Sequence, residues 1–200
     1  MEGRSEIPLF PLGDVLLKGA RIRLNIFEPR YLDMIGRCMR ESEGFGVVLI
    51  REGREARRSG ADPQPTIFNI GTHATIVDFD SSESAQLQIV IHGGAKFRIH
   101  RTWARSDHLL CAEVEYLPDE RAAAIGDEFR HLVELLRSLL QHPEFNSAEV
   151  DIDFEDACMV SWRLSEYLPL EPEIKQSLLQ MHLPRERLAE IKRIVNKLRG

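Results

Sequence analysis

With 200 residues, 43% of them hydrophobic and 29% charged, the chain can bury a sizeable core without disulfide or metal staples. Its net charge of -6 argues against general, charge-driven binding to nucleic acid, although it leaves room for a local basic patch. No apolar stretch approaches the roughly 20 residues that span a bilayer, and "MEGRSEIPLF" lacks the basic head and apolar run of a secretory signal, so a cytoplasmic location and no membrane partner are expected.

Residues 7–10 start the pattern as a short apolar strand. In residues 21–26, Ile22, Leu24 and Ile26 alternate with Arg21, Arg23 and Asn25, the period of a half-buried strand. Phe10, Leu12, Val15, Leu16, Leu24 and Ile26 are expected to fill the core. Asp14 and Glu28 suit a turn and a helix start better than an acid/base pair. Pro29 fits a first helical position, and Tyr31, Leu32, Ile35, Cys38 and Met39 follow as one apolar stripe that ends by Gly44. Phe27 and Tyr31 are expected to fix this helix against the strands.

Residues 45–50 read as a strand buried on both faces, and "REGREARRSGADPQP" after it as a long, mobile loop without apolar period. Residues 72–79 and 109–117 alternate, the latter with Leu110, Ala112, Val114 and Tyr116 on one face. Between them, Leu87, Ile89 and Ile91 share a face, and so do Phe97 and Ile99. Gly93-Gly94 predicts a hairpin there, with a Gly93–Ala95 loop pairing Ile91 with Phe97 and Ile89 with Ile99. About seven strands result, enough for a closed or half-closed barrel.

Near residue 120 the pattern turns helical. Four helices are predicted, over residues 122–141, 154–167, 172–181 and 184–198, the last two opened by proline. Strands first and helices second give an α+β chain, with subdomains 1–119 and 120–200.

The motifs of several chemistries are missing. There is no Gly-Lys pair for a phosphate loop, no GxGxxG, no GxSxG and no HExxH. Cys38, Cys111 and Cys158 lack any CxxC spacing and read as reduced thiols buried as small apolar residues. Asp78 and Asp80 could hold a divalent cation but read better as a solvated strand end. Asp151, Asp153, Glu155 and Asp156 read as helix N-terminal charge. His73, His92 and His100 read as surface histidines. Two basic features could touch phosphate: Arg51, Arg54, Arg57 and Arg58 in the loop, and Arg185, Arg187, Lys192, Arg193, Lys197 and Arg199 in the last helix. Both read as solvated faces. No catalytic residue, cofactor or metal is assigned.

"IPLFPLGDVLLKGARIRLNIFEPRYLDMI" resembles the start of the Lon protease N-terminal (LON substrate-binding) domain, through residues 8–12, Val15, Leu16, Gly19 and residues 26–31. "NIGTHATIVDFD", "GGAKFRIH" and "RLSEYLPLEPEIKQSLLQMHLPRERL" resemble later blocks of the family in the same order. Where the family has Pro-Gly, this chain has Lys18-Gly19, a departure that touches the turn there. The resemblance implies a PUA-like β pseudobarrel with one inserted helix, followed by a C-terminal helical bundle, in a stand-alone member without the ATPase and protease modules. It implies a non-enzymatic module that binds exposed or unfolded polypeptide segments, in a groove between barrel and helices or along an open strand edge. No peptide-contacting residue is assigned, and a separate protease or ligase stays open as a partner. The competing reading is an RNA-binding PUA-like protein that uses the basic 51–58 loop and the last helix.

Overall fold

The computed structural model describes residues 3–55, 63–81, 87–142 and 152–199. The chain divides into two compact units, Met1–Asp119 and Glu120–Gly200. The first carries strands β1 (Ser5–Leu12), β2 (Arg21–Ile26), β3 (Phe45–Glu52), β4 (Thr66–Ile67), β5 (Ile70–Ser81), β6 (Leu87–Ala104) and β7 (Leu110–Tyr116), with helix α1 (Pro29–Glu41) between β2 and β3. The second carries α2 (Arg130–Leu140), α3 (Ala157–Tyr167), α4 (Pro172–Gln180) and α5 (Pro184–Arg199). The architecture is therefore α+β, as expected.

The sheet runs in the order β1-β7-β6-β5-β3, and β1 also pairs with β3, so five strands close into a ring. The β1–β3 pairing is parallel, Leu9 opposite Gly46 and Leu12 opposite Leu49, while the other pairings are antiparallel. Parallel neighbours need a crossover, and here the crossover holds α1 and also β2, which leaves the ring to pair with β6. Phe97, Leu9, Val48, Ala112 and Val114 from four of the ring strands are buried together. Each large side chain buried fully in this way contributes about 1.5–3 kcal/mol relative to leaving it in water.

The expected hairpin at Gly93-Gly94 does not form. Both halves belong to β6, one strand of 18 residues. Its first half lies between β5 and β2, with Ile91 opposite Ile76 and Ile22, and its second half lies between β5 and β7. Ile89, Ile91, Phe97 and Ile99 all occupy odd positions, and an unbroken strand preserves that parity as a three-residue loop would. The glycine serves a close approach instead. A Cβ on Gly93 would sit 2.2 Å from the Leu17 carbonyl oxygen, and Gly93 exchanges hydrogen bonds with Gly19 and Ala20 at 2.8 and 2.9 Å. That neighbour is the Lys18-Gly19 turn, closed by Ala20 N–H donating to Leu17 O at 3.1 Å. Gly19 has φ 78°, which a type II turn requires at this position, so the turn holds its shape with lysine in place of proline.

Helix α1 starts at Pro29, as expected, but its buried face is Tyr31, Met34, Ile35 and Cys38, with Met39 left in solvent. The segment "IFEPRY" is explained by packing around Arg30. Its guanidinium pairs with Glu28 at 2.9 Å, donates to the His108 carbonyl at 3.1 Å and covers the Tyr31 ring at 4.5 Å. Tyr31 in turn stacks on Phe10, ring centroids 4.4 Å apart. Phe27 takes no part in this. Contrary to expectation it is 58% exposed.

In the helical unit, the predicted 122–141 helix begins only at Arg130, after a short 3₁₀ turn at Asp127–Phe129. Residues ahead of it bond elsewhere: Ile125 N–H to Glu155 O at 3.1 Å and Ala123 N–H to the Asp156 carboxylate at 3.0 Å. The same carboxylate caps α3 by accepting from Cys158 N–H at 3.0 Å, so α3 starts three residues later than the apolar period suggests. Leu132, Leu136, Val160, Leu164, Leu178, Leu188 and Ile191 form the core. Arg187, assigned from sequence to a solvated basic face, is fully buried within it. It donates to Glu120 Oε1 at 2.6 Å, to Ser161 Oγ at 2.9 Å and to the carbonyls of Met181 and Leu178 at 3.1 and 3.2 Å. Its guanidinium lies 3.4 Å from the centre of the Trp162 ring.

Candidate functional site

Six large hydrophobic side chains stand exposed among the described residues, and four belong to the barrel unit: Phe27, Met39, Val77 and Phe79. All four line cavities. The first cavity, about 240 Å³, opens between β1 and β2. Phe10, Leu12, Leu24, Ile26 and Tyr31 give it apolar walls, and Phe27 and Arg23 also line it. Strand pairing explains the gap. β2 pairs with β6 alone, and the register of β1 with β7 ends at Pro8, so β1 residues 9–12 pair only with β3. Two carboxylates reach the cavity, and both are engaged: Glu28 with Arg30, and Glu55 with the Gly13 amide.

The second cavity, about 350 Å³, lies between the C-terminal half of α1 and β5. Met39, Val77 and Phe79 reach it while 37%, 48% and 57% exposed, beside polar Ser42, Glu43 and Asp78. A bulge puts Val77 there: Ile76 pairs with Ile91 and Asp78 with Val90, which leaves Val77 extra. Alternation along the sequence passes over such an extra residue, so period alone would not find this patch.

The model of the ATP-dependent protease La (LON) substrate-binding domain matches residues 6–197. The chain belongs to that family. A solved Lon N-terminal domain protein from Xanthomonas campestris is 33% identical, covers 94% of this chain and 96% of its own, and superposes with a TM-score of 0.77. The N-terminal domain of a Mycobacterium avium complex Lon protease, at 19% identity, covers 94% of this chain and 96% of its own with a TM-score of 0.62, a likeness of fold. No curated protein matches.

The other sequence candidates of this LON-family domain are dispersed or already engaged. His73 and His92 lie on different strands, and His100 Nε2 sits 2.9 Å from Glu115. Burial holds His73 below the usual histidine range. Asp78 accepts from the Phe79 amide at 2.9 Å, and no group of three metal-ligating side chains occurs among the described residues. Asp153 and Asp156 accept backbone amides around the α3 start, Glu155 pairs with Arg130, and Asp151 lies outside the described residues. Asp14 accepts from the Val15 amide at 2.7 Å, as a turn residue does. On the last helix, Arg185 pairs with Glu128 and Arg193 with Glu190, while Lys192 donates to the Glu128 carbonyl at 3.2 Å. Arg51 stacks on Phe68 at 4.7 Å, and Arg57 and Arg58 lie outside the described residues. No described helix is long and apolar enough to cross a membrane.

All three cysteines are free thiols, as read from the sequence. Burial raises the pKa of Cys38 and Cys111. Burial, with the Glu120 carboxylate 3.5 Å from Sγ, pushes Cys158 up to about 11. Its thiolate is then scarce at pH 8. A disulfide reagent followed by mass spectrometry should label native Cys158 roughly a hundredfold more slowly than the urea-unfolded chain. Equal rates would mean a reactive thiol and reopen a nucleophilic role.

Proposed function

We propose that this LON-family domain is a non-enzymatic module that recognises exposed or unfolded polypeptide segments, in a cytoplasmic setting, and that the barrel unit carries the contact surface. One observation carries this reading: Phe27, Met39, Val77 and Phe79 are exposed and each borders a cavity. Apolar side chains left in water on a folded surface gain free energy when a partner's apolar side chains cover them. Unfolded chains offer such side chains, and folded ones mostly do not. The family description, a substrate-binding domain of a protease, points the same way. The ring of five strands supports a PUA-like pseudobarrel in 1–119, and the division at Asp119 and Glu120 supports a helical subdomain in 120–200. A separate protease or ligase is the class of partner such a module would serve. Nothing favours the RNA alternative, since Arg185, Arg187, Lys192 and Arg193 already have partners inside the helical unit.

The test is anisotropy of labelled, reduced and carboxymethylated α-lactalbumin titrated with the domain. Saturable binding in the micromolar range is expected, about 8 kcal/mol. Phe27→Ser with Phe79→Ser should weaken it about tenfold, with little change in melting temperature because both rings are exposed. No saturable binding, or undiminished binding by the variant, would reject the proposal.

A further inference from the structure

We infer that the cavity between β1 and β2 receives an extended polypeptide that adds to the open edge of β2, with acidic residues opposite Arg21 and Arg23 and apolar residues alternating between them. This rests on the polypeptide-binding reading above and names the ligand pattern that one of its sites would select.

Three observations converge. First, the cavity is walled by β2, which pairs only with β6, and by β1 residues beyond the end of the β7 register. Both strands thus have one side without a strand partner among the described residues. An unpaired strand edge presents amides and carbonyls at the spacing of another main chain, which an extended peptide satisfies and a nucleic acid does not. Second, the faces of β2 are sharply divided. Arg21, Arg23 and Asn25 are exposed, and Leu24 and Ile26 are buried and line the cavity. A strand added beside β2 must place successive side chains on the same two faces, so its apolar residues meet Leu24 and Ile26 while those between them meet the arginines.

Third, the charge left over at this edge is positive. Glu28 and Glu55 are committed to Arg30 and the Gly13 amide, whereas neither Arg21 nor Arg23 forms an ion pair among the described residues. Asp78 and Asp80 share a face with Arg23 and line a shallow cavity with it, but both lie two strands away, across Val90 and Gln88. That separation is roughly 10 Å, about one Debye length at ordinary salt. A side chain directly opposite an arginine in an added strand comes much closer, and opposite charges there attract.

The experiment compares two labelled nine-residue peptides of identical composition. In one, acidic and apolar residues alternate; in the other, they form two blocks. The domain should bind the alternating peptide about tenfold more tightly. Arg21→Glu with Arg23→Glu, both exposed, should lose about tenfold on that peptide and gain on its counterpart carrying lysine at the acidic positions. Equal affinity for the two arrangements, or no effect of the charge reversal, overturns edge addition. If carboxymethylated α-lactalbumin still binds, the broader function survives that result; if it does not, both fall. Self-association that the charge reversal abolishes, without any peptide preference, assigns the edge to a second copy of the chain and also overturns the inference.

Discussion

Replacing Arg187 by alanine should lower the stability of the helical unit by about 3–5 kcal/mol. The guanidinium is 0% exposed and reaches four oxygen acceptors, of which Glu120 is the charged one. Taking it away leaves a nearly buried carboxylate without its counter-ion, removes the cover over Trp162, and opens a cavity between α3 and α5. The measurement is urea unfolding followed by fluorescence in a Trp103→Phe background, so that Trp162 reports. The comparison variant is Arg193→Ala, whose partner Glu190 lies on the same exposed helix face; it should change stability by about 0.5 kcal/mol or less. Arg187→Met with Glu120→Leu should cost less than the two single changes summed, because neither charge is then left alone. Strict additivity would mean the pair does not act as a unit.

Gly93→Ala should destabilise the barrel unit by about 3 kcal/mol, the upper range for overpacking. The added methyl would meet the Leu17 carbonyl oxygen at 2.2 Å, and a backbone atom cannot rotate aside. Gly94→Ala should be nearly neutral, since its Cβ would lie 3.4 Å from the nearest atom, the His73 carbonyl oxygen. The contrast tests the strand directly. In a hairpin the two glycines would both serve the turn and both substitutions would hurt. Thermal unfolding of the two variants decides between these cases, and equal losses would contradict the continuous strand.

Much of the fold was legible because burial writes itself as a period. The alternation of Ile22, Leu24 and Ile26, the proline starts of α1, α4 and α5, and the shift from strands to helices near residue 120 all appear as expected. What failed were places where a long-range contact overrides a local signal. Gly93-Gly94 looks like a turn until the Leu17 carbonyl supplies another reason for glycine. Arg187 looks solvated because charge is read one helix at a time, while its partners come from Glu120, α3 and the end of α4. Residues 122–126 carry a helical period, yet the amides of Ala123 and Ile125 are claimed by Asp156 and Glu155. The candidate site was the least legible part. Phe27 sits in the most recognisable block of the sequence and reads as a contact that fixes α1 against the strands, yet it is exposed, and Val77 is exposed through a bulge that no period reveals.

The ring of strands also sets the order in which the chain can fold. β1 is bonded to β7, with Ser5 opposite Val114, so the two sides of that seam lie about a hundred residues apart in the chain. Closing so long a loop has an entropic cost before any contact rewards it, and topologies of this kind fold slowly. β5 and β6, by contrast, are neighbours in sequence and share a long antiparallel pairing that can form early. On a ribosome the first strand must therefore wait, apolar and unpaired on one side, until the seventh has been made. The chain therefore carries an open edge at Ser5–Pro8 through most of its synthesis, and that edge disappears only when the seam closes.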